Sequence, residues 1–305
     1  MKIGMLGAGA LGCSIGGVLA EGGSDVILLD RFQAHVDAIN ASGLRMRVEN
    51  TEKVVKVKAY TDCKGLEPVD LIIVLVKSFH TRAAIESATP IIGKDTLVMS
   101  IQNGLGHEEI LAEVVGRDHV LAAKTYVGGV FLEPGHIISG SKGKQTFIGE
   151  LDGKLTPRLQ AVVDEFNKAG LLATPSTNIY GTMWDKLLVN VATGALCGIT
   201  RLPYGWLYNV PEIEEAALAA VAEGIAVAKA NGIKLTSDDP RYFWTLAAEG
   251  LPPEFKTSML QSLEKGEMTE IDFINGSVVR WGERSGIPTP VNRTLLACVK
   301  GIENW

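Results

Sequence analysis

Three glycines near the start of the chain stand in the pattern Gly7-x-Gly9-x-x-Gly12, with Ala10 and Leu11 before the last of them. They lie between an apolar run, Lys2 to Leu6, and a helical run from Cys13 to Glu21. In that context the first glycine permits a tight turn, the second admits a pyrophosphate to the backbone, and the third lets helix and strand pack closely. Backbone N–H groups at the helix start, from Gly9 through Ala10, Leu11 and Gly12, supply donors at the positive end of the helix dipole. The chemistry expected is dinucleotide binding; the plain alternative is a structural glycine turn. The second apolar run, Asp25 to Leu29, ends in Asp30-Arg31. An acid there suits the ribose 2′-hydroxyl of NAD, and an arginine suits the 2′-phosphate of NADP. The reading taken is NADP through Arg31, with NAD left open and Asp30 as a cap of the following helix. Two later strand ends carry Val76-Lys77-Ser78 and Gln102-Asn103-Gly104. Ligands of an open parallel sheet gather at strand C-terminal ends, so Lys77 and Asn103 are expected to face the cofactor, and Asn103 an anionic substrate as well. Taken singly, Lys77 reads as a solvated charge and Asn103 as a left-handed turn residue.

A second set of polar residues lies in the other half of the chain. Lys186 and Asn190 are spaced i, i+4 and share one face of a helix that is otherwise apolar, through Leu187, Leu188, Val189, Val191 and Ala192. A polar pair in such surroundings needs partners or costs several kcal/mol in desolvation. Ser258 and Glu270 repeat the theme of polar residues among apolar ones. Glu270 reads either as the partner of Lys186 or as a charge near a helix start capped by Thr269.

The elements that must position these residues follow from the apolar pattern. Lys2 to Leu6, Asp25 to Leu29, Asp70 to Val76 and Thr96 to Ile101 are apolar without alternation, as strands of a parallel sheet buried on both faces are. Ala34 to Ala41 reads as a helix, Leu44 to Val48 with Val54 to Ala59 as a hairpin, and Val120 to Phe131, His136 to Ser139 and Thr146 to Gly149 as shorter strands. Thr156 to Ala169 is a helix crossing back over the sheet. From about Asn178 only helices are expected, over Asn178 to Thr193, Ile213 to Asn231, Asp239 to Ala248, Pro253 to Lys265, Thr269 to Gly286 and Asn292 to Asn304. The fold class is therefore α/β: a Rossmann-type, mostly parallel sheet domain over 1–174, then an all-α substrate and catalytic domain over 175–305.

Composition narrows the function. The 305 residues carry a net charge of −6, with 46% hydrophobic and 21% charged residues, values of an ordinary globular chain. An acidic chain without a long basic run is not a general nucleic-acid binder. The four cysteines are far apart and the five histidines have no metal-ligand spacing, so no metal site and no disulfide framework are expected. The N-terminus has no signal-peptide pattern and no apolar run approaches membrane-spanning length, which predicts a cytoplasmic enzyme with no membrane partner. The apolar helical half permits a homodimer.

These motifs together resemble the ketopantoate reductase (2-dehydropantoate 2-reductase) family over essentially the whole chain. The resemblance rests on the glycine pattern, Val76-Lys77, Gln102-Asn103-Gly104, Trp184-x-Lys186-Leu187-x-x-Asn190, Ser258-Met259-Leu260-Gln261, Thr269-Glu270-Ile271-Asp272-x-Ile274-Asn275-Gly276, and the stretch Gly286 to Asn292. It implies NADPH-dependent reduction of a 2-keto acid, with Lys186 as general acid and Glu270 as its partner. It also implies that Asn103, Asn190 and Ser258 bind the substrate or order the nicotinamide. Two departures bear on substrate: Gly194 and Phe255 stand where the family often has asparagines. They keep open a related D-2-hydroxyacid dehydrogenase acting on a branched or aryl 2-keto acid, with NAD open as its cofactor. A non-catalytic dinucleotide sensor is the remote alternative, disfavoured because sensing needs no proton donor.

Overall fold

In the computed structural model, which describes residues 1–304, the first strands form where the β-branched and aliphatic runs predict them. β1 (Lys2–Leu6), β2 (Asp25–Leu29), β6 (Val69–Val74) and β7 (Ile92–Ser100) are parallel, the first three almost wholly buried and β7 buried over most of its second half. They belong to an eight-stranded sheet in the order β12-β11-β8-β7-β6-β1-β2-β5, completed by β5 (Lys58–Tyr60), β8 (Val120–Thr125), β11 (Gln145–Glu150) and β12 (Leu172–Pro175). Only the β8–β11 pairing is antiparallel. From β1 the chain proceeds to β2 on one side and returns to β6 on the other, so the topological switch point lies between β1 and β6.

A smaller sheet, β4-β3-β10-β9, is built from β3 (Leu44–Val48), β4 (Thr51–Val55), β9 (Gly128–Glu133) and β10 (His136–Gly140). Helix α1 (Ala10–Glu21) is packed between the two sheets. A Cβ on Gly16 would stand 2.8 Å from Met5 of the large sheet, and one on Gly17 would stand 2.1 Å from Met46 of the small one. The close packing on opposite sides explains why this helix is apolar all round instead of striped. Helices α2 (Gln33–Ser42), α3 (Thr81–Ser87), α4 (His107–Val115) and α5 (Pro157–Lys168) complete the layers. Leu159, Val162, Val163 and Phe166 of α5 join one core, and Ala84, Ile85 and Leu111 of α3 and α4 join the core on the other face.

Two sequence expectations are corrected here. The stretch Val54 to Ala59 is not one hairpin arm: its start belongs to β4, paired with β3, while Lys58–Tyr60 pairs in parallel with β2 in the large sheet. Val120 to Phe131 is likewise two strands in different sheets, because the chain leaves the large sheet at Tyr126 and Val127. Alternation alone carries no information about which sheet a strand joins.

The helical unit comprises α6 (Ile179–Thr200), α7 (Tyr204–Leu207), α8 (Pro211–Ala230), α9 (Pro240–Ala248), α10 (Ser258–Glu264), α11 (Asn275–Ser285) and α12 (Pro290–Glu303). Chain contacts divide the molecule into Met1–Gln102 with His107–Ile179, and Asn103–Gly106 with the chain from Tyr180 onward. Helix α6 runs two turns beyond its expected end at Thr193, through the small residues Gly194, Ala195 and Gly198. The expected helix over 269–286 is interrupted: a 3-10 turn spans Ile271–Phe273, and Ile274 adopts a non-helical backbone before α11. Buried amides lock this unit. Asn275 donates to Asn292 at 3.0 Å, and Asn292 donates to the Ala220 carbonyl and to Glu223. Glu223 also accepts from the Val291 and Asn292 amides at the start of α12. Among the described residues no helix is long and apolar enough to cross a membrane.

Candidate active site

The glycine turn lies at the switch point, where β1 ends. Gly7 has φ +103°, and a Cβ there would stand 2.6 Å from the Val76 nitrogen. A Cβ on Gly12 would stand 2.0 Å from the Gly7 carbonyl oxygen. Both positions exclude side chains through the protein's own packing. Gly9 is different: it is exposed, and a Cβ there would meet no atom within 4 Å. Its glycine has no internal steric cause, and the space a side chain would take is the space a phosphate needs. Gly9 is also the N-cap of α1, with no side chain capping the helix and no acid in its first turn. The first-turn N–H groups and the dipole are thus available to an anion, so the residues present fit a dinucleotide diphosphate.

A cavity of about 340 Å³ opens beside this turn, within the size range of ligand pockets. Gly7, Gly9, Asp30, Arg31 and Lys77 all line it. Ala10 and Leu11 form the first turn of α1 outside its walls. Asp30 does not cap α2 as the sequence reading allowed: the N-cap is Phe32, and the Asp30 carboxylate accepts from the Phe32 amide at 3.0 Å in a local turn. Arg31 is exposed at the wall. Sequence reasoning missed Thr61, Asp62 and Cys63 on the same cavity. They follow β5, whose parallel pairing with β2 makes its C-terminal end emerge beside Asp30 and Arg31. The short strand is visible in the sequence, but its residues run on without a break from the neighbouring hairpin.

Gln102 ties two strand ends together. Its side chain donates to the Val76 carbonyl at 2.6 Å and to Thr81 at 2.9 Å, and accepts from Ser100 at 2.9 Å. This fixes the backbone from which Lys77 and Asn103 depart. Asn103 begins the short segment that belongs by its contacts to the helical unit, where the Leu105 amide donates to the Phe273 carbonyl at 3.0 Å.

Within the helical unit, Lys186 and Asn190 lie one turn apart on α6, both half-buried. The rotation of α6 is set by Trp184, fully buried and edge-on to Trp281 with centroids 5.7 Å apart, and by Asp185, which accepts from the Thr236 amide and hydroxyl. Burial holds the Lys186 ammonium below the ordinary lysine value. Ser258 is the exposed first residue of α10, and its neighbour Met259 lies 3.7 Å from where a Gly194 Cβ would be. Glu270 precedes the 3-10 turn, and α12 clamps both its sides. Thr269 donates through its amide and hydroxyl to Glu303, and Asp272 pairs with Lys300 at 2.9 Å. The Thr269 hydroxyl also accepts from the Ile271 amide. Phe255 packs against Tyr204 with ring centroids 5.0 Å apart.

The family model for ketopantoate reductase PanE/ApbA matches residues 3–153, and that for its C-terminal part matches residues 178–303. The chain belongs to the ketopantoate reductase family. The 2-dehydropantoate 2-reductase of Pyrococcus horikoshii is 36% identical over 304 residues, covering 100% of this chain and 98% of the relative. That of Archaeoglobus fulgidus is 32% identical, covering 99% and 98%. Among solved structures, a PanE/ApbA family ketopantoate reductase from Ralstonia eutropha has a TM-score of 0.91 at 37% identity, covering 100% and 99%. A ternary complex of D-mandelate dehydrogenase with NADH and anilino(oxo)acetate also has a TM-score of 0.91, at 27% identity and the same coverage. As a member of the ketopantoate reductase family, this chain is an oxidoreductase acting on a CH–OH group, and the family is one of dinucleotide-dependent reductases.

Proposed function

We propose that the chain reduces a 2-keto acid of the 2-dehydropantoate type with NADPH, yielding the corresponding 2-hydroxy acid. In this reading the sheet unit holds the dinucleotide through the backbone of Gly7, Gly9, Ala10, Leu11 and Gly12, with Arg31 at the 2′-phosphate and Lys77 and Asn103 toward the nicotinamide. The cofactor, when bound, supplies the hydride that adds to the keto carbon. As the carbonyl π electrons move onto oxygen, the Lys186 ammonium stabilises the charge and gives up its proton there. Glu270 acts as the partner of Lys186, and Asn103, Asn190 and Ser258 hold the substrate. The observation that carries the reading is the burial of Lys186 on an apolar helix. A lysine whose proton is held less tightly than in water is a better acid near neutral pH. NADP is favoured over NAD because one oxygen of Asp30 already accepts from the Phe32 amide, while Arg31 remains exposed at the cavity wall.

A second reading has its own support. Gly194, where a Cβ would sit 3.7 Å from Met259, has no side chain to offer a polar contact, and Phe255, whose ring packs on Tyr204, offers none either, so neither favours a hydroxylated substrate. Together with the likeness to D-mandelate dehydrogenase, these features favour a bulkier, more apolar 2-keto acid, and NAD in place of NADP. A panel of ketopantoate, branched and aryl 2-keto acids assayed with NADPH and NADH separates the two. Preference for ketopantoate with NADPH supports the first, and preference for an aryl or branched acid replaces it with the second. Absence of turnover on every member returns the chain to a dinucleotide sensor.

A further inference from the structure

His35, on α2, plays no part in the chemistry above, yet its ring is only 1% exposed and touches the glycine turn. The Gly135 amide, in the turn between β9 and β10, donates to its Nδ1 at 2.9 Å. That bond makes Nδ1 an acceptor, so the neutral ring carries its proton on Nε2, which lies 2.9 Å from the Ala8 carbonyl oxygen. The same oxygen accepts from the Cys13 thiol at 3.0 Å. Phe131 of β9 packs against the ring with centroids 5.0 Å apart, and Phe32 stacks beside it. The ring therefore joins the small sheet to the second residue of the glycine pattern.

The consequence follows from peptide geometry. The Ala8–Gly9 peptide is trans, as are all those among the described residues, so the C=O of Ala8 and the N–H of Gly9 point in opposite directions across one planar unit. Holding the Ala8 oxygen inward toward His35 and Cys13 turns the Gly9 N–H outward, at the residue whose missing side chain leaves open space. We propose that His35 is a positioning residue for dinucleotide binding, its ring fixing the Ala8–Gly9 peptide so that the Gly9 N–H meets the cofactor diphosphate. The inference rests on reading Gly7 to Gly12 as the diphosphate cradle.

Two substitutions divide the ring's two hydrogen bonds. The amide oxygen of His35→Asn falls near Nδ1 and keeps an acceptor for Gly135; the amide nitrogen of His35→Gln reaches toward Nε2 and keeps a donor for Ala8. Fluorescence titration with NADPH and with NADH is expected to show affinity about three- to tenfold lower in His35→Asn, the scale of one neutral hydrogen bond. His35→Gln is expected to stay near the wild type. At saturating cofactor, kcat and the keto-acid KM are unchanged in both. Equal affinities in the two variants, or a lowered thermal midpoint with unchanged cofactor affinity, overturn the proposal and leave His35 a packing residue. Gly9→Val serves as the control, since its Cβ would meet no atom of the protein within 4 Å. If Gly9→Val binds cofactor normally, the cradle reading itself fails; if it loses binding while His35→Asn does not, only the His35 proposal fails.

Should the histidine variants not fold, the wild type supplies the measurement. Protonation at Nδ1 would set a donor against the Gly135 amide. The groups facing the ring are Cys13 from α1, the Asp30 carboxylate at the end of β2, and the two phenylalanines. Burial lowers the imidazole below its ordinary value of 6.5, and the Ala8 carbonyl and Asp30 pull against that. NADH affinity is expected to fall as pH drops and the ring takes up a proton; NADH is the probe because its diphosphate charge stays constant there. A flat profile contradicts the proposal.

Discussion

The two units present their candidate groups in opposite ways. In the sheet unit the glycine turn offers backbone: N–H groups at a helix start, a positive-φ turn at Gly7, and a gap at Gly9. In the helical unit α6 offers side chains, Lys186 and Asn190, standing on a helix whose rotation is set by Trp184 and Asp185. A backbone site is damaged by adding atoms, and a side-chain site by removing them. The binding half and the proposed proton-donating half should therefore fail differently.

The largest expected effect tests that difference directly. Lys186→Ala is expected to lower kcat by about 10²- to 10⁴-fold, the contribution of a positioned general acid. Cofactor affinity, measured by fluorescence titration, should remain at the wild-type level; a parallel loss of affinity would break the comparison. The pH profile sharpens it. Reduction needs the protonated amine, so its rate should fall as pH rises through a value below the ordinary 10.5 of lysine. The reverse oxidation should rise over the same range, and a profile flat up to pH 10 contradicts the assignment.

Glu108, in the first turn of α4, is the sheet unit's exception: a carboxyl 4% exposed, pushed up by burial to about 7 from 4.5, with Lys124 pulling the other way. Below pH 4.5 folded and unfolded chains both keep the proton; between 4.5 and 7 the unfolded chain releases it first, so folding stability falls as pH rises. The loss is about 3 kcal/mol by pH 8. Glu108→Gln should unfold with the wild type in urea at pH 4 and be more stable by up to about that amount at pH 8. Equal stability at both would remove the exception.

Smaller effects follow on the backbone side. Gly12→Ala forces a methyl group toward the Gly7 carbonyl, at 2.0 Å before relaxation, and is expected to cost about 1–3 kcal/mol of stability in thermal or urea unfolding. Arg31→Ala should weaken NADPH by about tenfold, as loss of a charged hydrogen bond does, and leave NADH unchanged. Equal losses for both cofactors would contradict the place given to Arg31.

Much of the sheet unit was legible because its signals are local. Unalternating apolar strands predicted a sheet buried on both faces, and the glycine spacing predicted a turn between strand and helix. What escaped was pairing. The short strand at Lys58–Tyr60 reads like an arm of the neighbouring hairpin, yet its position beside β2 brings Thr61, Asp62 and Cys63 to the cavity. His35 escaped for the same reason, since its partners at Ala8 and Gly135 are 27 and 100 residues away. In the helical unit, spacing gave the shared face of Lys186 and Asn190 but not the break at Ile274, where tertiary contacts override a continuous apolar pattern.

The sequence by itself therefore determined the two-part layout of a sheet half followed by a helical half, the family, and the residue types at each end of the proposed chemistry. These depend on periodicity and on short spacings that the chain carries along its length. Only the tertiary structure decided which glycine faces open space, which carboxylate is already held, and which asparagines serve as internal locks, as Asn275 and Asn292 do. Each of those depends on what stands across a packed interface, and no residue's own identity records its neighbour.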